Sequence, residues 1–242
     1  MTYEEYRNFK HETPYILRIK TPKSRLFYFG ERHSFDPASE QWRVSKELWA
    51  EFLADKSPLK IALVEGGRRK SFATEKESIE HDGGMGLVTF LATQNGIETA
   101  SPEPSEAFER AEIEKRGFSR DEIQYYFFAR VVHQWVRKLD PKPDFDFYMN
   151  WSLKADEMSS GWTGYDFSLD HMKMIHEKLF SKPFSIEEKG LFFETTNPTD
   201  EKRNRINQVS IASGEVRNLY IIERIAEYLN DGYSVFAQWK IR

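Results

Sequence analysis

The chain has 242 residues, 39% of them hydrophobic and 31% charged, with a formal net charge of −4 and a pI near 5.9. That balance gives no electrostatic reason to expect nucleic acid or an anionic membrane as a partner. The absence of cysteine excludes disulfides and thiolate metal sites.

The first twelve residues are polar, and without an apolar stretch they predict no signal peptide. No apolar run approaches the roughly 20 residues of a membrane span. The expectation is a cytoplasmic protein acting on a small-molecule or peptide substrate. Residues 14–20 alternate well enough for a strand, residues 21–24 with Pro22 have turn chemistry, and residues 26–29 (Leu-Phe-Tyr-Phe) predict a short buried strand, so the two strands form a hairpin. Gly30-Glu31-Arg32-His33 follows. Asp36 and Pro37 predict a helix start, with Trp42, Leu48, Trp49, Phe52 and Leu53 on its apolar face.

Ser57-Pro58 breaks the chain before residues 60–64 (Lys-Ile-Ala-Leu-Val), the clearest buried strand, which ends at Glu65-Gly66-Gly67. The run Arg68-Arg69-Lys70 reads as a solvated surface. Gly83-Gly84-Met85-Gly86 precedes a predicted helix over 87–95 that stops at Gly96, and residues 97–101 are a short strand ending at Pro102-Glu103-Pro104. Two helices are predicted over 105–115 and 119–139, the second with Ile123, Phe127, Val131 and Trp135 as its core-facing stripe. Residues 140–146 connect, and 148–165, aromatic and containing Gly and Ser, read as a loop over a pocket. Residues 166–180 predict a helix, 182–205 carry no clear pattern, and 211–229 predict a helix with Leu219, Ile222, Ile225, Ala226 and Leu229 on one face. Asn230-Asp231-Gly232 stops it before a last strand over 233–239. The expectation is a single α/β domain over 1–242, with a central, largely parallel β-sheet flanked by helices and a helical or irregular insertion, or lid, over 140–205.

Three strand candidates end in the same way, at Glu31 and His33, at Glu65, and at Glu103, each followed by a helical pattern. That order predicts βαβ units, whose parallel strands put their carboxyl ends on one edge, so Glu31, His33, Glu65 and Glu103 are expected in one crevice. Crowded carboxylates repel unless a cation or a proton neutralises them. A divalent metal such as zinc or manganese would do so, with His33, Glu65 and Glu103 as the candidate ligands and bound water as the nucleophile. Glu31, His33 and Glu65 are the candidate catalytic residues, one glutamate serving as general base. The alternative is that these glutamates cap helices or form surface ion pairs.

The other histidines carry less. His171 and His176 point about 140° apart on a helix, unlike the i, i+4 pair of a zinc protease. His133 is expected to be exposed, and His81 could approach the crevice. The glycine cluster at 83–86, opening a helix, could bind an anion.

Phe-Gly-Glu-Arg-His, Val-Glu-Gly-Gly and Leu-Ala-Thr-Gln-Asn-Gly-Ile-Glu followed by Ser-Pro-Glu-Pro resemble the superfamily of TraB/Tiki proteins, erythromycin esterase-like proteins and ChaN-like proteins, over roughly residues 25–105. The family's Gly-x-x-His motif is matched by Gly30 and His33, and its acidic positions would fall on Glu65 and Glu103; Gly30-Glu31 is similar to the Gly-Glu of erythromycin esterases. The resemblance implies a sheet flanked by helices, and either metal-dependent hydrolysis of an amide, ester or similar bond, or haem or other ligand binding on a degenerate site. One departure is visible: the family usually carries a second histidine motif after a late strand, and no histidine follows His176 in this sequence.

Overall fold

The computed structural model describes residues 14–66, 69–138, 141–197 and 204–240. The expected polar or frayed segment over 1–12, Gly67 and Arg68 of the loop after the second buried strand, the start of the 140–146 connector and part of the 182–205 stretch lie outside the described residues. The chain divides into two compact units: residues up to Glu103 together with those from Tyr220 onward, and Pro104–Leu219.

The first unit is α/β, as expected. Its strands are β1 (Tyr15–Lys20), β2 (Arg25–Glu31), β3 (Lys60–Val64), β4 (Glu98–Ala100) and β5 (Ser234–Lys240), and its sheet runs β1-β2-β5-β3-β4. β1 pairs antiparallel with β2, and every other pair is parallel. The hairpin is set by Thr21, whose Oγ1 accepts from the backbone N–H of Lys23 and of Ser24 at 3.2 and 3.0 Å, placing Lys20 opposite Arg25. Two helices cover one face, α1 (Gln41–Ala54) and α2 (Glu75–Gln94). Phe27 and Phe29, Ala62 and Val64, and Phe236 alternate onto that face against Leu48, Trp49, Phe52, Met85 and Val88. The opposite alternation, Leu26, Ile61, Leu63, Val235 and Ala237, meets Ile225, Tyr228 and Leu229.

Helix α1 starts later than Asp36 and Pro37 predict. Asp36 instead closes a turn, its Oδ1 accepting from Ala38 N–H at 2.9 Å, and Trp42 Nε1 donates back to the Asp36 carbonyl at 2.7 Å. Leu53, expected on the apolar face, is 37% exposed. Helix α2 begins well before the glycines rather than after them, with a Thr74–Glu77 capping box, and it kinks at Gly83. Gly83 has φ 59°, and a Cβ there would sit 2.8 Å from the Ser34 carbonyl oxygen, so the kink is built on a residue without a side chain.

The second unit is helical: α3 (Glu106–Lys115), α4 (Arg120–Lys138), α5 (Phe145–Ser159), α6 (Leu169–Phe180), α7 (Lys189–Thr195) and the N-terminal part of α8 (Arg205–Asn230). It begins at Pro104, so the insertion expected over 140–205 is only part of it. Its core joins Ile113, Ile123, Tyr125, Phe128, Val132, Met149, Leu153, Met172, Ile175, Phe192, Ile206 and Val209. Residues 148–165 are not the expected loop: most of them form α5, capped by Asp144, whose side chain accepts from Phe147 N–H. The stripe expected on α4 is displaced, with Tyr125, Phe128, Ala129 and Val132 buried and Phe127, Val131 and Trp135 half-buried, because several helices pack around α4. On α8 the expected face also fails at its beginning, where Leu219 and Ile222 are 56% and 62% exposed. Among the described residues no helix is long and apolar enough to cross a membrane.

The strand ends opposite the candidate site are tied together by Asp55. Its Oδ1 accepts from Ser234 Oγ at 2.5 Å and from Ser57 N–H at 3.1 Å, and its other oxygen lies 3.1 Å from Arg25 Nε. Burial alone would raise its pKa, but these bonds and the charges of Arg25 and Lys60 outweigh it and hold the carboxyl below its usual value. A depressed carboxyl stabilises the fold above its unfolded-state pKa of about 3.9, and that contribution is lost as pH falls through the folded-state value. Asp55→Asn is expected to lower stability by about 1–2 kcal/mol at neutral pH and to flatten the loss below about pH 4, read as urea midpoints against pH.

Candidate functional site

The expected site falls on the carboxyl-end edge of the sheet, all of it within the α/β unit. Glu31 is the last residue of β2 and points to the α1 and α2 face, continuing the alternation of Phe27 and Phe29. It is 2% exposed. Its Oε2 accepts from Gln238 Nε2 of β5 at 2.6 Å, and Gln238 Oε1 accepts from Ser45 Oγ of α1 at 2.8 Å. Ser45 and Gln238 are both fully buried. A hydroxyl, an amide and a carboxylate thus form a hydrogen-bonded chain inside an otherwise aromatic layer, which is how a polar group is held in such a place without the cost of an unmet bond.

Room for the carboxylate comes from α2. A Cβ on Gly84 would lie 1.5 Å from Glu31 Oε2 and 2.0 Å from Gln238 Nε2. The glycine cluster therefore serves an approach of helix to carboxylate. The turn after Glu31 is held by Gln41 at the start of α1. Its Oε1 accepts from Arg32 N–H at 3.0 Å, and its Nε2 donates to the Arg32 carbonyl at 2.7 Å. His33 emerges from this clasped turn into an exposed position, its ring edge-on to Phe35 with centroids 4.7 Å apart.

Glu65 follows β3 and is half-buried, with its backbone N–H directed at Met85 Sδ, 3.2 Å away. Glu103, after β4, turns back so that its Oε2 accepts from Gly66 N–H at 2.7 Å, fastening the ends of β3 and β4 together. Arg69 supports the same loop, donating from Nη2 to the Glu65 carbonyl at 3.1 Å and from Nη1 to Asp82 at 2.8 Å.

Glu31, His33, Glu65 and Glu103 therefore share one edge, as the parallel order requires, with β5 between β2 and β3. Backbones two strands apart stand about 10 Å from each other. Among the described residues no three His, Asp or Glu side chains form a group that could hold a metal ion. His33, Glu65 and Glu103 thus offer no ready-made ligand set in this arrangement.

The other described histidines outside the site residues have partners of their own. His81 is exposed and stacks on Phe72 at 4.5 Å with the rings parallel to within 2°. His133 is half-buried rather than exposed, beside Phe193, and His171 Nε2 lies 3.3 Å from Asp121.

Three functional groups escaped the sequence reading: Gln238, Ser45 and Gln41. A signal for Gln238 was present, a lone amide in a strand otherwise apolar as far as Trp239. Ser45 likewise sits on the buried side of α1 with Trp42, Leu48 and Trp49. Comparison with protein-family models, with curated proteins and with solved structures finds no significant match.

The enclosure of Glu31 makes a specific prediction. Gly84→Ala is expected to destabilise the protein by about 1–3 kcal/mol through overpacking. Combined with Glu31→Ala, the same change should cost less than it does alone, because two of the three nearest atoms it meets belong to the Glu31 side chain. Gln238 Nε2 remains, as the end of a side chain released from its bond to Glu31. A urea double-mutant cycle reads this coupling, and strictly additive effects would contradict the described approach.

Proposed function

We propose that the carboxyl-end edge of the sheet is a hydrolytic site acting on an amide, ester or similar bond, of the kind implied by the resemblance to Tiki and erythromycin esterase-like proteins. The observation that carries this reading is Glu31: a carboxylate held by a buried amide at a strand end, two residues from an exposed histidine on a clasped turn. In this reading Glu31 takes a proton from the attacking water as the water oxygen bonds to the scissile carbonyl carbon. The bond to the leaving group then breaks, and the proton passes to that group. His33 would orient the carbonyl and Glu65 would contact the substrate from beyond β5. A divalent ion on His33, Glu65 and Glu103 belongs to the same proposal, but the role of Glu31 as base does not depend on it.

A second reading is favoured by the same enclosure. Glu31 is bonded to Gln238 and Glu103 to the Gly66 backbone, so both carboxylates also serve the fold, and the late strand brings an amide rather than a histidine to the site. That pattern fits a ligand-binding or interaction protein on this fold, a haem binder included.

A screen of peptides and esters, with elemental mass spectrometry on protein purified without chelators, separates the two. The hydrolytic reading expects turnover that Glu31→Gln lowers by about 10²–10⁴-fold, with folding intact. It also expects a bound transition metal, where one is found, to be lost in His33→Ala. Turnover unaffected by Glu31→Gln, or no turnover of any substrate with or without added ions, would leave the binding reading.

A further inference from the structure

The helical unit encloses one imidazole that the reading above does not use. His176 on α6 has no exposed surface. Its Nδ1 lies 2.7 Å from the hydroxyl of Tyr125 on α4, and its Nε2 is buried with no hydrogen-bond partner among the described residues. The rings of Phe180, Phe184 and Phe192 stand around it with centroids at 4.9, 5.3 and 6.3 Å. The titratable and charged groups that face it are Tyr125 from α4 and the ion-paired Lys182 and Glu188 from the segment between α6 and α7.

This enclosure suits only the neutral ring. A neutral imidazole has one N–H and one lone pair, and Tyr125 can serve whichever of them is on Nδ1. An imidazolium has an N–H on each nitrogen, and the second would face phenyl rings with no acceptor. Burial, the largest influence, lowers the His176 pKa below its usual 6.5; Glu188 opposes this and Lys182 adds to it. Burial also keeps the Tyr125 hydroxyl protonated, so that group supplies no counter-charge.

We propose that His176 is an acid-sensitive latch of the helical unit: neutral, it ties α4 to α6 and seats Phe192 of α7; protonated, it leaves the aromatic enclosure and frees the segment that carries Phe184 and Phe192. The direction follows from linkage. The opened state binds the proton more readily, so closure is complete above the ordinary pKa of 6.5. Closure then weakens as pH falls below that value, by up to about tenfold in the open population per pH unit, and levels off below the depressed pKa of the closed state.

Amide hydrogen exchange on the full chain tests this, with rates corrected for the intrinsic effect of pH. In wild type, peptides from α4, α6 and α7 are expected to lose protection by about tenfold or more between pH 7 and pH 5, while β2, β3 and β5 lose much less. His176→Leu should remove that difference. An imidazole NMR titration of the unmodified protein is a second arm, which holds even where the variant does not fold: His176 should titrate below its ordinary value. A His176 that titrates at or above 6.5, or helices whose protection falls equally in wild type and His176→Leu, would overturn the proposal.

Discussion

One hydrogen bond organises the α/β unit: Gln238 to Glu31, joining the last strand to the second. A carboxylate with almost no exposure in an aromatic layer is tolerable only if something donates to it, and the donor must itself be held. Gln238 donates, Ser45 holds Gln238, and Gly84 leaves the space. Sheet, first helix and second helix thus meet around one polar chain, which fixes how far each helix can slide over the strands. The kink at Gly83 lies one residue before this approach.

The helical unit solves a comparable problem differently. Arg110 is wholly buried on α3, pairs with Asp156 at 3.1 Å, donates to Gln124 Oε1 at 2.6 Å, and lies 4.0 Å over the ring of Phe127. Burial lowers the Arg110 pKa and raises that of Asp156, each partly offset by the charge of the other. Such a pair adds little net stability, yet removing one partner strands the other. It sits beside a core of aliphatic and aromatic side chains, where it ties α3 to α4 and α5.

The strands were legible because each is a short apolar or alternating run between turn residues, a local pattern needing no partner to be recognised. The edge that gathers Glu31, Glu65 and Glu103 was legible for the same reason. What could not be read was strand order. That β5 inserts between β2 and β3 depends on pairings between residues far apart in the chain. The lone amide of Gln238 stood out in its strand, but that it meets Glu31 was hidden on the same account. Helix α5 was misread because Phe147, Trp151 and Met158 remain 69%, 63% and 80% exposed while Met149 and Leu153 are buried, so apolar residues occur around its circumference and no stripe emerges.

The position of β5 also bears on the order of assembly. Until it is in place, β2 has only β1 as a strand partner and β3 only β4, two ribbons of a kind that is marginal in water. The partner of Glu31 lies 207 residues further along the chain, so the sheet cannot close on the ribosome before the region around Gln238 has emerged. The helical unit, contiguous in sequence and rich in local contacts, has no such wait. During synthesis the chain therefore carries two half-sheets with open edges, and it is in that interval that the open edge of β3 is most available to the wrong neighbour.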